Sequence, residues 1–291
     1  MTSGATYLGR LAARTSAVGS VLCLGIDPDV ASLPRGFSRD LAGIERFSRL
    51  LIEVGARYAA AIKPNLAFFE AHGSAGIAAL ERLRAAVPGD IPFIADAKRG
   101  DIGSTASRQA VALLDVLGAD AVTVNPYLGA DAVLPLLERL DRFAYVLCRT
   151  SNPGASEFQG LPVARAGDAP AEPLYARVAR RAVHWGPGGT VGLVVGATAP
   201  AELARIRDIA PGLPFLVPGV GAQGGEVDPV LQYGHATAGT AALGAGGGLL
   251  VNVSRGISSA VLEAADARDP GVERLLDAAA SSWARRLAVL T

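Results

Sequence analysis

The segment Phe93-Ile94-Ala95-Asp96-Ala97-Lys98-Arg99-Gly100-Asp101-Ile102-Gly103-Ser104-Thr105 sets an acid, a base and a second acid close together behind an apolar run. On a strand, side chains two apart share a face, so Asp96 and Lys98 are expected to point together, with Asp101 following in the loop. Each opposite charge favours the charged form of its neighbour, which keeps the lysine protonated and the carboxylates ionised. A fixed ammonium of this kind can stabilise negative charge developing on a carbon and then deliver a proton to it. An exposed salt-bridge cluster ahead of a helix is the bland alternative; the apolar Phe93-Ile94-Ala95 argues that the base of the cluster is buried. A second group of residues fits an anion. Pro218-Gly219-Val220-Gly221-Ala222-Gln223-Gly224-Gly225 is a glycine-rich loop with an amide donor at Gln223. Arg255 offers a two-pronged grip for phosphate, beside backbone N–H groups at Gly256 and Ile257 that open a helix.

These residues need elements to hold them, and the chain supplies eight short apolar runs. Strands are expected near 20–27, 60–65, 92–98, 121–126, 144–151, 191–197, 214–220 and 248–254. Their nearly continuous hydrophobicity suits parallel strands covered on both faces, and helical spacing recurs between them, as in Ile77, Leu80, Leu83 and Arg84 or Val111, Leu114 and Leu117. Eight β-then-α units at this length indicate an α/β fold, a TIM (β/α)8 barrel forming a single domain over 1–291; a doubly wound open sheet is the competing layout. Polar residues, together with Pro218, cluster where the strands end: Asp27; Lys63 and Asn65; Asp96 and Lys98; Asn125; Ser151 and Asn152; Arg255. In a barrel all of these meet at one mouth. Residues 152–173, rich in Pro, Gly and Ala, read as a long loop, and 271–290 as a closing C-terminal helix.

Composition narrows the function classes. Lys plus Arg number 27 and Asp plus Glu number 27 in 291 residues, so no overall field would hold nucleic acid or an anionic membrane. Pro229 to Ser254 lacks charged residues, but its Gly, Ala, Gln232, His235 and Asn252 are poor material for a membrane span. Cys23 and Cys148 sit in apolar runs as expected buried thiols, which favours a reducing cytoplasm. Residues 1–26 carry arginines and no acid, as transit peptides do, yet they run straight into the first strand, so cleavage would remove a site residue. His72, His184 and His235 lack metal-ligand spacing and are expected to be structural or surface groups.

The segment Asp96-Ala97-Lys98-Arg99-Gly100-Asp101-Ile102-Gly103-Ser104-Thr105 resembles the D-x-K-x-x-D signature of the orotidine 5′-phosphate decarboxylases, and the flanking segments agree in order. Residues 63–70, 124–129, 149–155, 216–225 and 252–257 are similar to the longer bacterial (type 2) branch of that family. The resemblance implies decarboxylation of orotidine 5′-monophosphate to uridine 5′-monophosphate and CO2, in de novo pyrimidine biosynthesis, with no cofactor and no metal. It implies that Lys98 protonates C6, that Asp96 faces the substrate carboxylate, and that Lys63 links the charge network to the ribose beside Asp27 and Asn65. Asp101 and Thr105 would reach the neighbouring site of a homodimer with shared active sites. Ser151 and Asn152 are candidates for the pyrimidine contact. Where many members have Gly before the phosphate arginine and Pro after it, this chain has Ser254 and Gly256. Two other readings stand beside this one. A magnesium-dependent sugar-phosphate decarboxylase or aldol enzyme would need a carboxylate-rich site, and a nucleotide-phosphate sensor would keep Arg255 and Gln223 while losing the Asp/Lys cluster.

Overall fold

A computed structural model describes residues 6–165, 167–186, 189–221, 223–262 and 270–289. Eight parallel strands run in chain order: β1 (Leu22–Ile26), β2 (Ala61–Pro64), β3 (Ile94–Arg99), β4 (Ala121–Val124), β5 (Phe143–Arg149), β6 (Val191–Val195), β7 (Phe215–Val217) and β8 (Leu250–Val253). Each neighbours the next, and β1 pairs with both β2 and β8. Parallel bridges Ile62 to Phe93 and Asn65 to Asp96 join β2 to β3 and close the ring. The result is the expected (β/α)8 barrel, not an open doubly wound sheet.

The period of two along each strand sorts side chains into an inner and an outer core. Cys23, Ala61, Ile94, Ala121, Val194 and Leu250 form one buried cluster with Phe143 and Tyr145, filling the barrel. Leu22, Leu24 and Ile26 belong to the larger cluster shared with the surrounding helices. Gly192 makes room inside: a Cβ there would lie 2.8 Å from the Phe143 ring and 3.0 Å from the Tyr145 ring. The end of the barrel opposite the strand C-termini is plugged by helix Tyr7–Val18. Its Tyr7 stacks on Phe143 at 4.8 Å and hydrogen-bonds the Tyr145 hydroxyl at 3.0 Å, while Arg10 reaches Asp120 at 2.8 Å.

Several expectations are refined. Every strand except β3 stops short of the C-terminal end of its apolar run, and β3 runs on to Arg99. Residues 152–173 contain a short helix (Ala155–Phe158) and a two-stranded ribbon pairing Pro162–Val163 with Glu172–Pro173. Glu172 is buried and bonded to Arg177 and Arg180 at 3.0 and 2.8 Å, which holds the ribbon to the following helix Leu174–Val183. Helix Gly103–Ala110 continues as a π-helix over Val111–Val116, so Leu113 and Leu114 are buried there instead of a face built on Val111, Leu114 and Leu117. The closing helix spans Pro270–Arg286. No helix among the described residues is long and apolar enough to cross a membrane.

Candidate active site

The C-terminal ends of all eight strands surround a cavity of about 470 Å³. At its floor lies a chain of charges. Lys63 Nζ donates to Asp96 Oδ2 at 2.6 Å, and Lys98 Nζ donates to Asp96 Oδ1 at 2.6 Å. Lys63 and Asp96 are almost enclosed, with side chains 5% and 11% exposed, whereas Lys98 is 48% exposed. Burial alone would discharge Lys63, but the carboxylates of Asp96 and Asp27 outweigh it and hold its pKa above the ordinary lysine value. Burial likewise opposes ionisation of Asp96, yet the two lysines hold its pKa well below the usual carboxylate range. The site therefore holds Asp96 as an anion against the Lys63 cation, with Lys98 on its other oxygen. Cys23, beneath it in the barrel, is pushed up to about 12 by burial and stays a thiol; Cys148 is also free, buried and raised by burial.

Asp96 and Lys98 converge, but not by simple strand alternation. The pairing of β3 with β4 shifts register between Ala95 and Arg99, and Lys98 has φ of 47°, the single non-glycine residue with positive φ among those described. An L side chain in that region costs on the order of 1–3 kcal/mol. The bulge re-aims the lysine toward the carboxylate, as bulges beside active sites do.

Ten of the candidate side chains singled out from the sequence line this cavity, and the strands explain how; Asn125 does not, its Oδ1 accepting from the N–H of Tyr127 at 3.0 Å instead. Asp27 follows β1, Lys63 and Asn65 come from the end of β2, Ser151 and Asn152 follow β5, and Pro218 and Gln223 follow β7. Arg255 follows β8 and is exposed. Asp101 and Thr105 are not part of the cavity wall. Asp101 Oδ1 instead accepts from the N–H of Ile102 at 2.8 Å, and Thr105 is exposed on helix Gly103–Ala110.

The wall is ready for polar ligand groups. Asp27 Oδ1 and Asn252 Oδ1 are buried without a hydrogen-bond partner, and both residues face the cavity; such orphans call for a ligand or water. The glycine-rich loop is a tight turn: Gly224 and Gly225 donate to the carbonyls of Gly221 and Gly219 at 2.8 and 3.0 Å, and Gln223 accepts from the Ser151 hydroxyl at 2.7 Å. Gly219, with φ of 96°, lets Gln223 and Ser151 approach. One expectation fails. The Ile257 N–H is bonded to Ser254 O at 3.0 Å within its own turn, so anion binding here would rest on Arg255 and on Gly256, which lines the cavity. Ser254 packs against β1, where a Cβ on Gly25 would fall 1.8 Å from its hydroxyl oxygen. Trp283 of the closing helix braces both loops: its Nε1 donates to Gly256 O at 2.9 Å, and its ring would lie 3.0 Å from a Cβ on Gly221.

Sequence reasoning passed over Thr123, Thr150, Gln159 and Asn252 as site residues, although all four line the cavity. For Thr123 and Asn252 the signal is present: each is a polar residue inside an otherwise apolar strand. Gln159 arrives from the long loop, and no spacing rule points to it; its side chain holds Thr150 through two 2.8 Å bonds. The histidines are scattered, His235 bonding Gly246 O at 2.8 Å. Among the described residues no group of three or more His, Cys, Asp or Glu is placed to hold a metal ion.

Comparison with known proteins agrees with this geometry. The family model described as orotidine 5′-phosphate decarboxylase / HUMPS family matches residues 20–269. The orotidine 5′-phosphate decarboxylase of Thermomicrobium roseum is 51% identical over 239 residues, covering 82% of this chain and 81% of its own. That of Halorubrum lacusprofundi is 45% identical over 283 residues, 97% of each chain. The structure of Leishmania donovani OMP decarboxylase superposes with a TM-score of 0.75 at 39% identity, covering 96% of this chain and 99% of that one. The charged barrel floor and the sequence relationship lead to one conclusion: the chain belongs to the orotidine 5′-phosphate decarboxylase / HUMPS family.

Proposed function

We propose that this chain decarboxylates orotidine 5′-monophosphate to uridine 5′-monophosphate, the last step in making that pyrimidine nucleotide. The Lys63–Asp96–Lys98 chain at the cavity floor carries the reading. The substrate's C6–carboxylate bond breaks and its electron pair stays on C6, where no π system spreads it. The Lys98 ammonium stabilises that charge and then transfers a proton to C6; CO2 leaves, and the neutral amine recovers a proton from water. Asp96, ionised beside the leaving carboxylate, repels substrate more than product, so the binding energy must come from elsewhere on the nucleotide. Arg255 and the Gln223 amide hold the phosphate, Asp27, Asn65 and Lys63 the ribose, and Ser151 or Asn152 the pyrimidine, with Pro218 on the wall. Asp101 and Thr105 act in the site of a second copy, which makes the working unit a homodimer. The compartment we assign is the cytoplasm. Neither the magnesium-dependent alternative nor the sensor is supported: the curated relatives carry the decarboxylase name, and a sensor has no use for the lysine–carboxylate chain.

The test is loss of orotidine 5′-monophosphate absorbance with purified, chelator-treated protein. Turnover undiminished by chelation is expected. Activity abolished by EDTA and restored by magnesium would reinstate the sugar-phosphate alternative, and no turnover at all would sink the decarboxylase reading.

A further inference from the structure

Thr123 is the one polar side chain of β4 (Ala121–Val124), and it is 1% exposed. A buried hydroxyl must find partners or destabilise the fold, and both of its partners belong to the charged floor. Thr123 Oγ1 accepts from the backbone N–H of Lys98 at 3.0 Å and donates to Asp96 Oδ1 at 2.8 Å. The proton direction follows from the chemistry. The Lys98 N–H can only donate, so the single hydroxyl proton is available to the carboxylate. Asp96 Oδ1 is the same oxygen that receives Lys98 Nζ. Thr123 thus grips both ends of the reacting pair: the carboxylate's orientation and the backbone of the lysine held at φ 47°.

We propose that Thr123 is a positioning residue for the decarboxylation. Its hydroxyl fixes the plane of the Asp96 carboxylate and pins the left-handed backbone of Lys98, so that the ammonium is already aimed when substrate arrives. The proposal rests on the function argued above. An ordinary strand threonine would behave differently: β-branched residues suit strands, so valine would then serve equally well at this position.

Kinetics of Thr123→Val and Thr123→Ala against Thr123→Ser separate the two, with uridine 5′-monophosphate binding measured alongside. Loss of a hydrogen bond to a charged group predicts a fall in kcat of roughly ten- to hundredfold for both hydroxyl-free variants. KM and product affinity should stay within about threefold of wild type, because the lost interaction serves the transition state. Ser, which keeps the hydroxyl, should recover most of kcat. A Val or Ala variant with wild-type kcat, a Ser variant as impaired as Val, or a rise in KM at unchanged kcat would each overturn the role. An inactive wild type would remove the decarboxylase reading and this proposal together, whereas an active wild type matched by an equally active Thr123→Val removes Thr123 alone.

Discussion

Lys63 is an ammonium almost out of reach of water, and it stays charged only because Asp96 and Asp27 face it. Removing one member of a buried pair costs far more than the pair itself contributes, since the survivor keeps its desolvation penalty. Asp96→Asn should therefore lower stability by about 3–5 kcal/mol. The sign of its pH dependence follows from the two directions. Asp96 is depressed below 3.8, so its contribution is present above that value and is lost only as pH falls through the folded-state value. Lys63 is raised above 10.5, so its contribution is present below that value and is lost as pH rises further. Urea midpoints should show a deficit that is flat from about pH 5 to 9; a deficit that disappears at the acid end of that window would contradict an ionised Asp96. At the exposed rim, Arg255→Ala should raise KM with a smaller effect on kcat, and unchanged kinetics would take Arg255 out of the site. The floor was legible because Lys and Asp after an apolar run must be paired. The Ile257 amide was misread because a helix opening of four residues spends its own N–H groups.

Strands and helices decide where those residues stand. Eight apolar runs of strand length were enough to place β1–β8, since parallel strands covered on both faces carry a continuous hydrophobic signal. The same runs could not show the bulge in β3, because a single lysine at φ 47° leaves no mark in periodicity. Helix Tyr7–Val18 also went unseen: its buried face is only Tyr7, Leu11 and Thr15, and its arginines gave the stretch the look of a leader. Yet this helix seals the barrel floor. Tyr7→Ala should cost about 3–5 kcal/mol, as large-to-small aromatic changes in cores do, while leaving KM for orotidine 5′-monophosphate unchanged. A loss of substrate affinity comparable with the loss of stability would mean that the plug shapes the site from below.

At the scale of the molecule, a single chain leaves Asp101 and Thr105 off the cavity wall, Ile102, beside Asp101 in sequence, is 56% exposed, and Tyr127, two residues after the Asn125 whose carbonyl lies against Gly100, is 77% exposed. A second copy seated there would explain both observations. Lys98→Ala and Asp101→Ala should each be nearly inactive. A mixed dimer has one doubly defective site and one intact site, and random exchange makes about half the dimers mixed, so activity should recover to about a quarter of wild type. Exchanged samples as dead as their parents would place Asp101 within its own site. Sequence pattern gives the residues of such an arrangement without their addresses, because periodicity describes one chain and a shared site belongs to two.

Trp283, against both the Gly221 and Gly256 loops, has an optical consequence. The chain contains two tryptophans, and Trp185 lies outside the cavity wall. In a Trp185→Phe protein the remaining indole becomes a built-in fluorophore whose N–H is tied to the loop that carries Arg255. Nucleotide monophosphates should shift or quench its emission with saturation, whereas the nucleoside lacking a phosphate should do so only weakly. Occupancy of the phosphate end could then be followed by light, independently of turnover.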